Sequence, residues 1–243
     1  MLDMRHHNET RVPYRTVYRL SLYARALQRL CERGAKTVSS QALALSAGVK
    51  ADQVRKDLTQ VGHLGRPGLG YPASELLEHL QGVLGTTRLR PVVLLGAGRL
   101  GKALLAYPGF NKEGFEIVAA FDADSRQCGR FPTTSGHVDI LPIDKLEQVL
   151  RDNSVRLAIL TVPGESAQAV ANRLVANGVR GILNFSPVLL QVPEDVTVNN
   201  VNLALELEQL NYFTEDGPSR QKNEANVPRG RSSARKPTNK RRT

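Results

Sequence analysis

The chain has 243 residues, of which 41% are hydrophobic and 23% charged, and this composition is ordinary for a globular protein. The length accommodates two domains. No apolar run reaches the roughly 18 residues of a membrane span, the first residues lack the apolar core of a secretory signal, and Cys31 and Cys128 are too few for a disulfide framework or a zinc cluster. We therefore expect a cytoplasmic protein with reduced thiols, no membrane span and no bound metal.

The net charge of +10 is concentrated at the two ends of the chain. Residues 1–84 contain 12 Lys and Arg against 7 Asp and Glu, residues 85–213 contain 12 against 13, and residues 214–243 contain 9 against 3. A basic first unit and a nearly neutral second unit predict two domains with different partners. The last segment has one branched aliphatic side chain, Val227, so we predict a disordered basic tail that serves either solubility or contact with phosphates.

The first unit has the spacing of a helix-turn-helix. Pro13 suits a helix start, and the apolar residues that recur on one face of the following helix are Val17, Leu20, Tyr23, Leu27 and Leu30. A second helix starts at Ser39–Ser40, a turn follows at Gly48–Val49, and a third helix is predicted from about Ala51 to Val61. Two helices joined by a short turn that contains glycine are typical of DNA-binding proteins.

The third helix and the segment after it carry the residues expected on DNA. Val54, Leu58 and Val61 form the apolar side of the helix, whereas its opposite side is polar. The segment Gly62–Pro72 contains four glycines and two prolines, which predict a tight hairpin, the wing of a winged helix, with Arg66 at its tip. The side chains that we expect to contact bases or phosphates are Ser39, Gln53, Arg55, Lys56, Thr59 and Arg66.

The second unit opens with a strand, a glycine-rich turn and a helix. Val92–Leu95 is an apolar run fit for a buried parallel strand, and the turn that follows it consists of Gly96, Ala97, Gly98, Arg99, Leu100 and Gly101. In such a turn the first glycine allows the sharp bend, the second lets a pyrophosphate approach the backbone, and the third lets the helix pack closely on the strand.

A second strand, Phe115–Phe121, ends at Asp122, which lies 21 residues after Gly101. A carboxylate at this place would accept hydrogen bonds from an adenosine ribose and would repel a 2′-phosphate. The pattern therefore favours NADH or NAD+ as the ligand.

The remaining elements continue to alternate. Helices near Ile143–Asp152 and Ser166–Asn177 are interleaved with strands Val155–Val162, Gly181–Phe185 and Val196–Val201. This order predicts a doubly wound parallel sheet of the Rossmann type, whose ligands bind at the carboxyl ends of the strands. The loop residues expected against the ligand are Val162, Pro163 and Phe185.

The second unit lacks the side chains that a nicotinamide dehydrogenase needs beside the transferred hydride. Four of the five histidines lie in the first unit, His137 lies in a glycine-rich connection, and no Tyr-x-x-x-Lys or metal-spaced cluster is present. We therefore predict a protein without enzymatic activity. Two alternatives remain open: a Rossmann oxidoreductase with an accessory basic domain, and a module for CoA or another adenine nucleotide, because a glycine turn cradles any diphosphate.

From Val12 to Phe213 the chain resembles the Rex family of redox-sensing transcriptional repressors. The motifs that carry the resemblance are Tyr18-Arg19-Leu20 with Tyr23, Gln53–Leu58, Gly65–Tyr71, the glycine turn with Ala103-Leu104-Leu105, Ala120-Phe121-Asp122, Thr161-Val162-Pro163 with Ala167-Gln168, and Ile182–Pro187. The resemblance implies a homodimer that binds a palindromic double-stranded DNA operator when NADH is scarce and releases it when NADH binds. The units implied are a winged helix at 1–84, a Rossmann domain at 85–202 and a C-terminal helix exchanged between subunits at 203–213, whereas the resemblance is silent on the tail at 214–243.

The resemblance also implies roles for individual residues. Arg55 and Lys56 are expected on DNA, and the residues expected near the cofactor or the domain interface are Arg25, Arg99 and Tyr107. The family usually has an Asp just before the C-terminal helix, which pairs with an N-terminal Arg, and Asn202 stands at that place here. Asn202 can accept one hydrogen bond from Arg25 without the added strength of charge, which would bias the switch toward its DNA-bound form.

Overall fold

A computed structural model describes residues 12–62, 65–66, 68–134 and 136–214 of the chain. The tail predicted for residues 214–243 therefore lies outside the described residues, apart from Thr214. The first unit consists of helices and one pair of two-residue strands, with the bounds α1 Tyr14–Glu32, β1 Thr37–Val38, α2 Ser40–Ala47, α3 Ala51–Val61, β2 Tyr71–Pro72 and α4 Ala73–Leu84.

Helix α1, with 19 residues, is the longest described helix of the first unit. It begins after Pro13, and Leu20, Tyr23 and Leu27 are fully buried, as their spacing predicts. The prediction that Val17 belongs to this buried face is wrong, because its side chain is 37% exposed. Val17 lies at the edge of the buried stripe and lines a cavity between the two units, of which Phe115 of the second unit is also a lining residue.

Helices α2 and α3 form the predicted helix-turn-helix. The Ser39 side chain caps α2 by accepting a hydrogen bond from the Ala42 N–H, at 3.1 Å. Gly48 ends α2 with a φ of 70°, a left-handed conformation that glycine adopts without strain. Val54 and Leu58 of α3 are buried against the rest of this unit, so the opposite side of α3 faces solvent.

The segment after α3 differs from the predicted wing in one respect. Arg66 and Gly70 form an isolated antiparallel bridge, so Arg66 lies at the base of a tight turn and not at its tip. The chain after this turn is fixed by strand pairing, because Tyr71 pairs with Val38. Gly70 packs closely against the same strand, since a Cβ atom there would lie only 2.6 Å from the Val38 carbonyl oxygen. Arg66 is nevertheless exposed.

The second unit contains a sheet in the order β5-β6-β4-β3-β7-β8-β9. Its strands are β3 Arg90–Leu95, β4 Phe115–Asp122, β5 Gly129–Thr133, β6 Gly136–Pro142, β7 Leu157–Leu160, β8 Gly181–Asn184 and β9 Thr197–Asn200. All neighbouring pairs are parallel except β5 with β6. The helices of this unit are α5 Arg99–Leu105, α6 Gly109–Lys112, α7 Leu146–Asp152 and α8 Gly164–Ala176.

Two differences from the predicted sheet have local causes. His137 lies in strand β6 and not in a connection. The hairpin of β5 and β6 was not predicted, because both strands are largely exposed and each contains a proline. Strand β7 ends at Leu160, two residues earlier than predicted. The Thr161 hydroxyl there donates to the Leu95 and Gly96 carbonyl oxygens, which turns the chain out of the sheet.

The two faces of the sheet are covered differently. Val93 and Leu95 point to the face that is packed by α7 and α8, whereas Val92 and Leu94 point to the face that carries α5. On the second face, an apolar groove extends over β7, β8 and β9. The last described helix, α9 Leu203–Phe213, has no buried residue. Among the described residues, no helix has the length and apolar character needed to cross a membrane.

Candidate nucleotide site and DNA-binding surface

The three glycines of the turn between β3 and α5 occupy different environments. Gly96 has a φ of 96°, and a Cβ atom there would lie 2.7 Å from the Thr161 carbonyl oxygen. A Cβ atom on Gly101 would overlap the Gly96 carbonyl oxygen, whereas one on Gly98 would meet no atom within 4 Å. Gly96 and Gly101 are therefore required by close packing of the protein itself, and Gly98 leaves open space where a diphosphate fits.

The other residues of this turn surround that open space. Ala97 is fully buried, whereas Arg99 and Leu100 begin helix α5 with exposed side chains. The exposed Arg99 guanidinium can meet a phosphate, and Leu100, which is 41% exposed, offers an apolar surface beside it.

Asp122 lies at the carboxyl end of β4, beside the glycine turn. Its Oδ2 accepts a hydrogen bond from the Ala97 N–H at 2.7 Å, and its Oδ1 accepts one from the Asp124 N–H at 2.8 Å. Each carboxylate oxygen retains a second lone pair that a ribose hydroxyl can use. Asp122 therefore also braces the turn, a role that the sequence pattern alone did not indicate.

The loops after β7 and β8 lie at the same edge of the sheet as the glycine turn, because β3, β7 and β8 are parallel. Val162 and Phe185 are half-buried and Pro163 is exposed, so the three side chains offer an apolar surface at the strand ends. Asn184 is fully buried below them and donates hydrogen bonds to the Val188 carbonyl oxygen and to Asn200 Oδ1, both at 2.8 Å. Asn184 thus fixes the course of the loop that carries Phe185.

Five of the six predicted DNA-contacting residues are exposed, and the sixth, Gln53, is half-buried. Arg55, Lys56 and Thr59 of α3 are exposed, as is Ser39 at the start of α2. Arg55 is paired with the Asp52 carboxylate and donates to the Ser40 hydroxyl at 2.8 Å. A base contact through the same N–H groups would compete with these two partners.

A buried carboxylate, missed as a functional residue, lies behind this surface. Asp57 of α3 is fully buried and accepts four hydrogen bonds. The donors are Arg19 Nε at 2.6 Å, Arg19 Nη2 at 2.7 Å, Tyr23 OH at 2.8 Å and Gln53 Nε2 at 2.8 Å. Burial raises the pKa of the Asp57 carboxyl, but these hydrogen bonds outweigh burial and leave that pKa below its usual value. The available signal was that Asp57 falls on the apolar side of α3.

Two of the residues expected near the cofactor or the domain interface, Arg25 and Tyr107, line the same groove, and Asn202 has no hydrogen bond to Arg25 among the described residues. Arg25 of α1 forms an ion pair with Glu113 of the second unit at 2.9 Å, and both line the apolar groove together with Tyr107. Tyr107 is 57% exposed and packs edge to face on Phe110. Asn202 caps α9, where its Oδ1 accepts hydrogen bonds from the first turn of that helix. Sequence reasoning did not identify Glu113.

Known proteins match both units of this chain. Residues 11–59 match the sequence family described as "Putative DNA-binding protein N-terminus", and residues 87–188 match "CoA binding domain". The chain is 46% identical over 202 residues to the redox-sensing transcriptional repressor Rex of Carboxydothermus hydrogenoformans, a match that covers 83% of this chain and 96% of that protein. The corresponding protein of Desulfitobacterium hafniense is 42% identical over 202 residues, with coverages of 83% and 95%. The chain belongs to the Rex family.

Solved structures of a Rex-family repressor have the same fold. The crystal structure of RSP in complex with β-NAD+ and operator DNA has a TM-score of 0.76 at 35% identity, and covers 83% of this chain and 91% of RSP. The structure of RSP with β-NADH has a TM-score of 0.71 at 33% identity, with coverages of 83% and 93%. These similarities confirm the predicted winged helix-turn-helix and Rossmann architecture, and they confirm a Rex-family repressor and not an enzyme.

Proposed function

We propose that this Rex-family chain represses transcription as a homodimer that binds a palindromic DNA operator, and releases the operator when NADH occupies its Rossmann domain. The observation that supports this most directly is the glycine turn, because Gly96 and Gly101 are demanded by packing while Gly98 leaves room for a ligand. RSP, a repressor of the same family, has been crystallised with NAD+, NADH and operator DNA. A repressor works where the genome is, so we also propose a cytoplasmic location.

The nucleotide would be held at three places along the sheet edge. Backbone N–H groups from Gly98 to Leu100 face the pyrophosphate, and Arg99 adds a positive charge. Asp122 accepts hydrogen bonds from the adenosine ribose and disfavours a 2′-phosphate by its charge, which supports NADH over NADPH. Phe185 and its neighbours contact the nicotinamide.

The apolar surface at the nicotinamide end supports discrimination between the two redox states. Oxidised nicotinamide carries a positive ring and the reduced form is neutral, so burial against Val162, Pro163 and Phe185 costs the oxidised form its hydration. A hundredfold preference for NADH requires about 2.7 kcal/mol, which partial desolvation of one charge can supply.

The exposed helix α9 supports a dimer in which this helix is exchanged. Its side chains Leu203, Leu207 and Phe213 are 63%, 66% and 82% exposed, an apolar surface that its own subunit leaves in water. The apolar groove over β7, β8 and β9, a cavity of about 340 Å³, lies on the open face of the sheet. We propose that residues 203–213 of a second copy cover this groove and bring the partner subunit's Asn202 within reach of Arg25.

In this proposal, the switch between the DNA-bound and the released state is a change in the arrangement of the two subunits. NADH can shift the arrangement of the two subunits only if it binds one arrangement more tightly. We propose that NADH fills the cleft between the Rossmann domains and rotates them. The two copies of α3, with Arg55, Lys56 and Thr59, then leave the spacing of about 34 Å that successive major-groove half-sites require. Ser39 and Arg66 contact the flanking backbone.

The proposal is tested by measuring operator affinity at several ratios of NADH to NAD+, with a duplex that the protein itself selects from random-sequence DNA. We expect affinity to fall steeply as the NADH fraction rises, and equal affinity under saturating NADH and saturating NAD+ would contradict the switch. The match of residues 87–188 to the CoA-binding family favours one other ligand. Parallel titrations with CoA and NADPH distinguish it, because we expect neither to release the duplex.

A further inference from the structure

The side-chain amide of Gln168 in α8 pairs with the backbone of a single residue, Gln191. Gln168 Oε1 accepts a hydrogen bond from the Gln191 N–H at 2.9 Å, and Gln168 Nε2 donates to the Gln191 carbonyl oxygen at 2.8 Å. Nε2 also donates to Asn172 Oδ1 at 2.8 Å, so both of its N–H groups have an acceptor. Gln168 therefore holds Gln191 by an exchange of two hydrogen bonds, as a neighbouring antiparallel strand would.

The segment 186–191, which ends at this pair, is also held at its beginning. Asn184 Nδ2 donates to the Val188 carbonyl oxygen at 2.8 Å. Val188 lies against the first residue of α8, because a Cβ atom on Gly164 would lie 3.0 Å from Val188 Cγ1. Asn184 and Gln168 thus keep the segment 186–191 on the beginning of α8.

The segment 186–191 adjoins the apolar surface that is proposed to contact the nicotinamide. Two residues of that surface flank the contact just described, since Pro163 directly precedes Gly164 and Phe185 directly precedes the segment. Three apolar residues of the segment are exposed in the single subunit, namely Pro187, Val188 and Leu189. Exposed apolar side chains at this place can contact a ring that is bound at the carboxyl ends of β7 and β8.

We propose that Gln168 is a positioning residue for the discrimination between NADH and NAD+, because it keeps the segment 186–191 beside the nicotinamide and so excludes water from the ring. The proposal rests on the NADH binding proposed above. Water that reaches the ring restores the hydration of the charged, oxidised form, whereas the neutral, reduced form loses apolar contacts. Release of the segment should therefore act on the two coenzymes in opposite directions.

The test compares the dissociation constants of NADH and NAD+ for the full chain, measured by calorimetry, in the wild type and in Gln168→Met. Methionine is about as long as glutamine and cannot pair with the Gln191 backbone. We expect NADH to bind roughly three- to tenfold more weakly, the scale of one net hydrogen bond, and NAD+ to bind equally well or more tightly. A general loss of stability would instead weaken both coenzymes alike.

A matched control and a second variant make the outcome decisive. Gln148→Met makes the same change at an exposed glutamine of α7 and should keep the wild-type affinities for both coenzymes. Gln168→Ala removes the pairing with Gln191 by truncation, adds no bulk and suits a helix, so its preference for NADH should fall as in Gln168→Met. Gln168→Ala alone decides the question if Gln168→Met does not fold.

Three results would overturn the inference. The preference for NADH could be the same in the Gln168 variants as in the wild type, both coenzymes could weaken equally in these variants, or Gln148→Met could show the same fall in preference. Each of these results leaves NADH binding by the Rossmann domain intact. A wild-type protein that binds neither coenzyme overturns the proposed function as well, so the two proposals fail in distinguishable ways.

Discussion

Gly98 and Gly101 stand three residues apart in the same turn, and a side chain has opposite consequences at the two places. Gly98 has a φ of −70°, which every residue adopts, and open space beside it. We expect Gly98→Val to fold with an unchanged melting temperature and to lose NADH binding, because the new side chain occupies the space for the pyrophosphate. Fluorescence titration with NADH and a thermal melt measure the two effects.

Gly101→Val is the matched control for this experiment. Its side chain would overlap the Gly96 carbonyl oxygen, so we expect a lower melting temperature in the absence of any nucleotide. If Gly98→Val still binds NADH as the wild type does, the ligand lies elsewhere.

Arg55 is exposed on α3, and its guanidinium contacts the Ser40 hydroxyl and the Asp52 carboxylate, which DNA could replace. We expect Arg55→Ala to weaken operator binding by about 1 to 3 kcal/mol if the guanidinium reads a base edge. A filter-binding or anisotropy titration measures the loss. Arg151→Ala removes an exposed arginine from α7 of the Rossmann domain and should leave the affinity unchanged. An unaltered affinity for Arg55→Ala would remove this residue from the interface.

At the scale of the element, the joint between α1 and α3 should respond to acid. Hydrogen bonds to the buried Asp57 carboxylate lower its pKa in the folded protein, in spite of the burial that opposes them. The group therefore contributes stability above its unfolded pKa of about 3.9, and this contribution is lost as the pH falls through the lower folded value. We expect the unfolding free energy of the first unit to decline below pH 4.

Denaturant titrations at pH 7 and pH 3 measure this decline. Tyr23→Phe removes one of the four hydrogen bonds to the Asp57 carboxylate. The pKa of Asp57 in the folded variant should then lie closer to its unfolded value, so the unfolding free energy of the variant should depend less on pH in that interval. A Tyr23→Phe protein with the same pH dependence as the wild type would show that the hydroxyl does not stabilise the carboxylate.

Helix α9 buries none of its residues against the rest of its own chain. Leu207 and Leu210 are about one turn apart on the same side of the helix and are 66% and 64% exposed. We expect the double change Leu207→Glu with Leu210→Glu to convert the proposed dimer to monomers, because two carboxylates would be buried in the apolar groove. Sedimentation equilibrium measures the change. Glu208→Gln should leave the dimer intact, and a dimeric double variant would contradict helix exchange.

The elements differ in how well the sequence predicts them, and the reason is the range of the signals. Helix α3 and the glycine turn begin where predicted, because caps, glycines and apolar spacing within a few residues determine them. The hairpin of β5 and β6 depends on pairing at the edge of a sheet that forms elsewhere. The ion pair of Arg25 with Glu113 and the three hydrogen bonds from Arg19 and Tyr23 to Asp57 join residues far apart in sequence, which no local pattern contains.

At the scale of the whole molecule, the basic tail adds charge to a protein whose DNA-binding unit is already basic. Residues 215–243, which lie outside the described residues, contain 9 Lys and Arg and 3 Asp and Glu. We expect their deletion to flatten the dependence of log affinity for the operator on log salt, by about 0.9 for every phosphate that the tail neutralises in the full chain. A tail of equal length with Gln at the basic positions should behave like the deletion. An unaltered slope would leave the tail a role in solubility.

The double engagement of Asp122 has a consequence for how such a regulator can change its coenzyme. Acceptance of a ribose with a 2′-phosphate calls for loss of this carboxylate, because its charge repels the phosphate. Here the same side chain accepts hydrogen bonds from the Ala97 and Asp124 N–H groups, so its removal would also destabilise the glycine turn. An evolutionary or engineered route from NADH to NADPH sensing must therefore first secure this bend by other means.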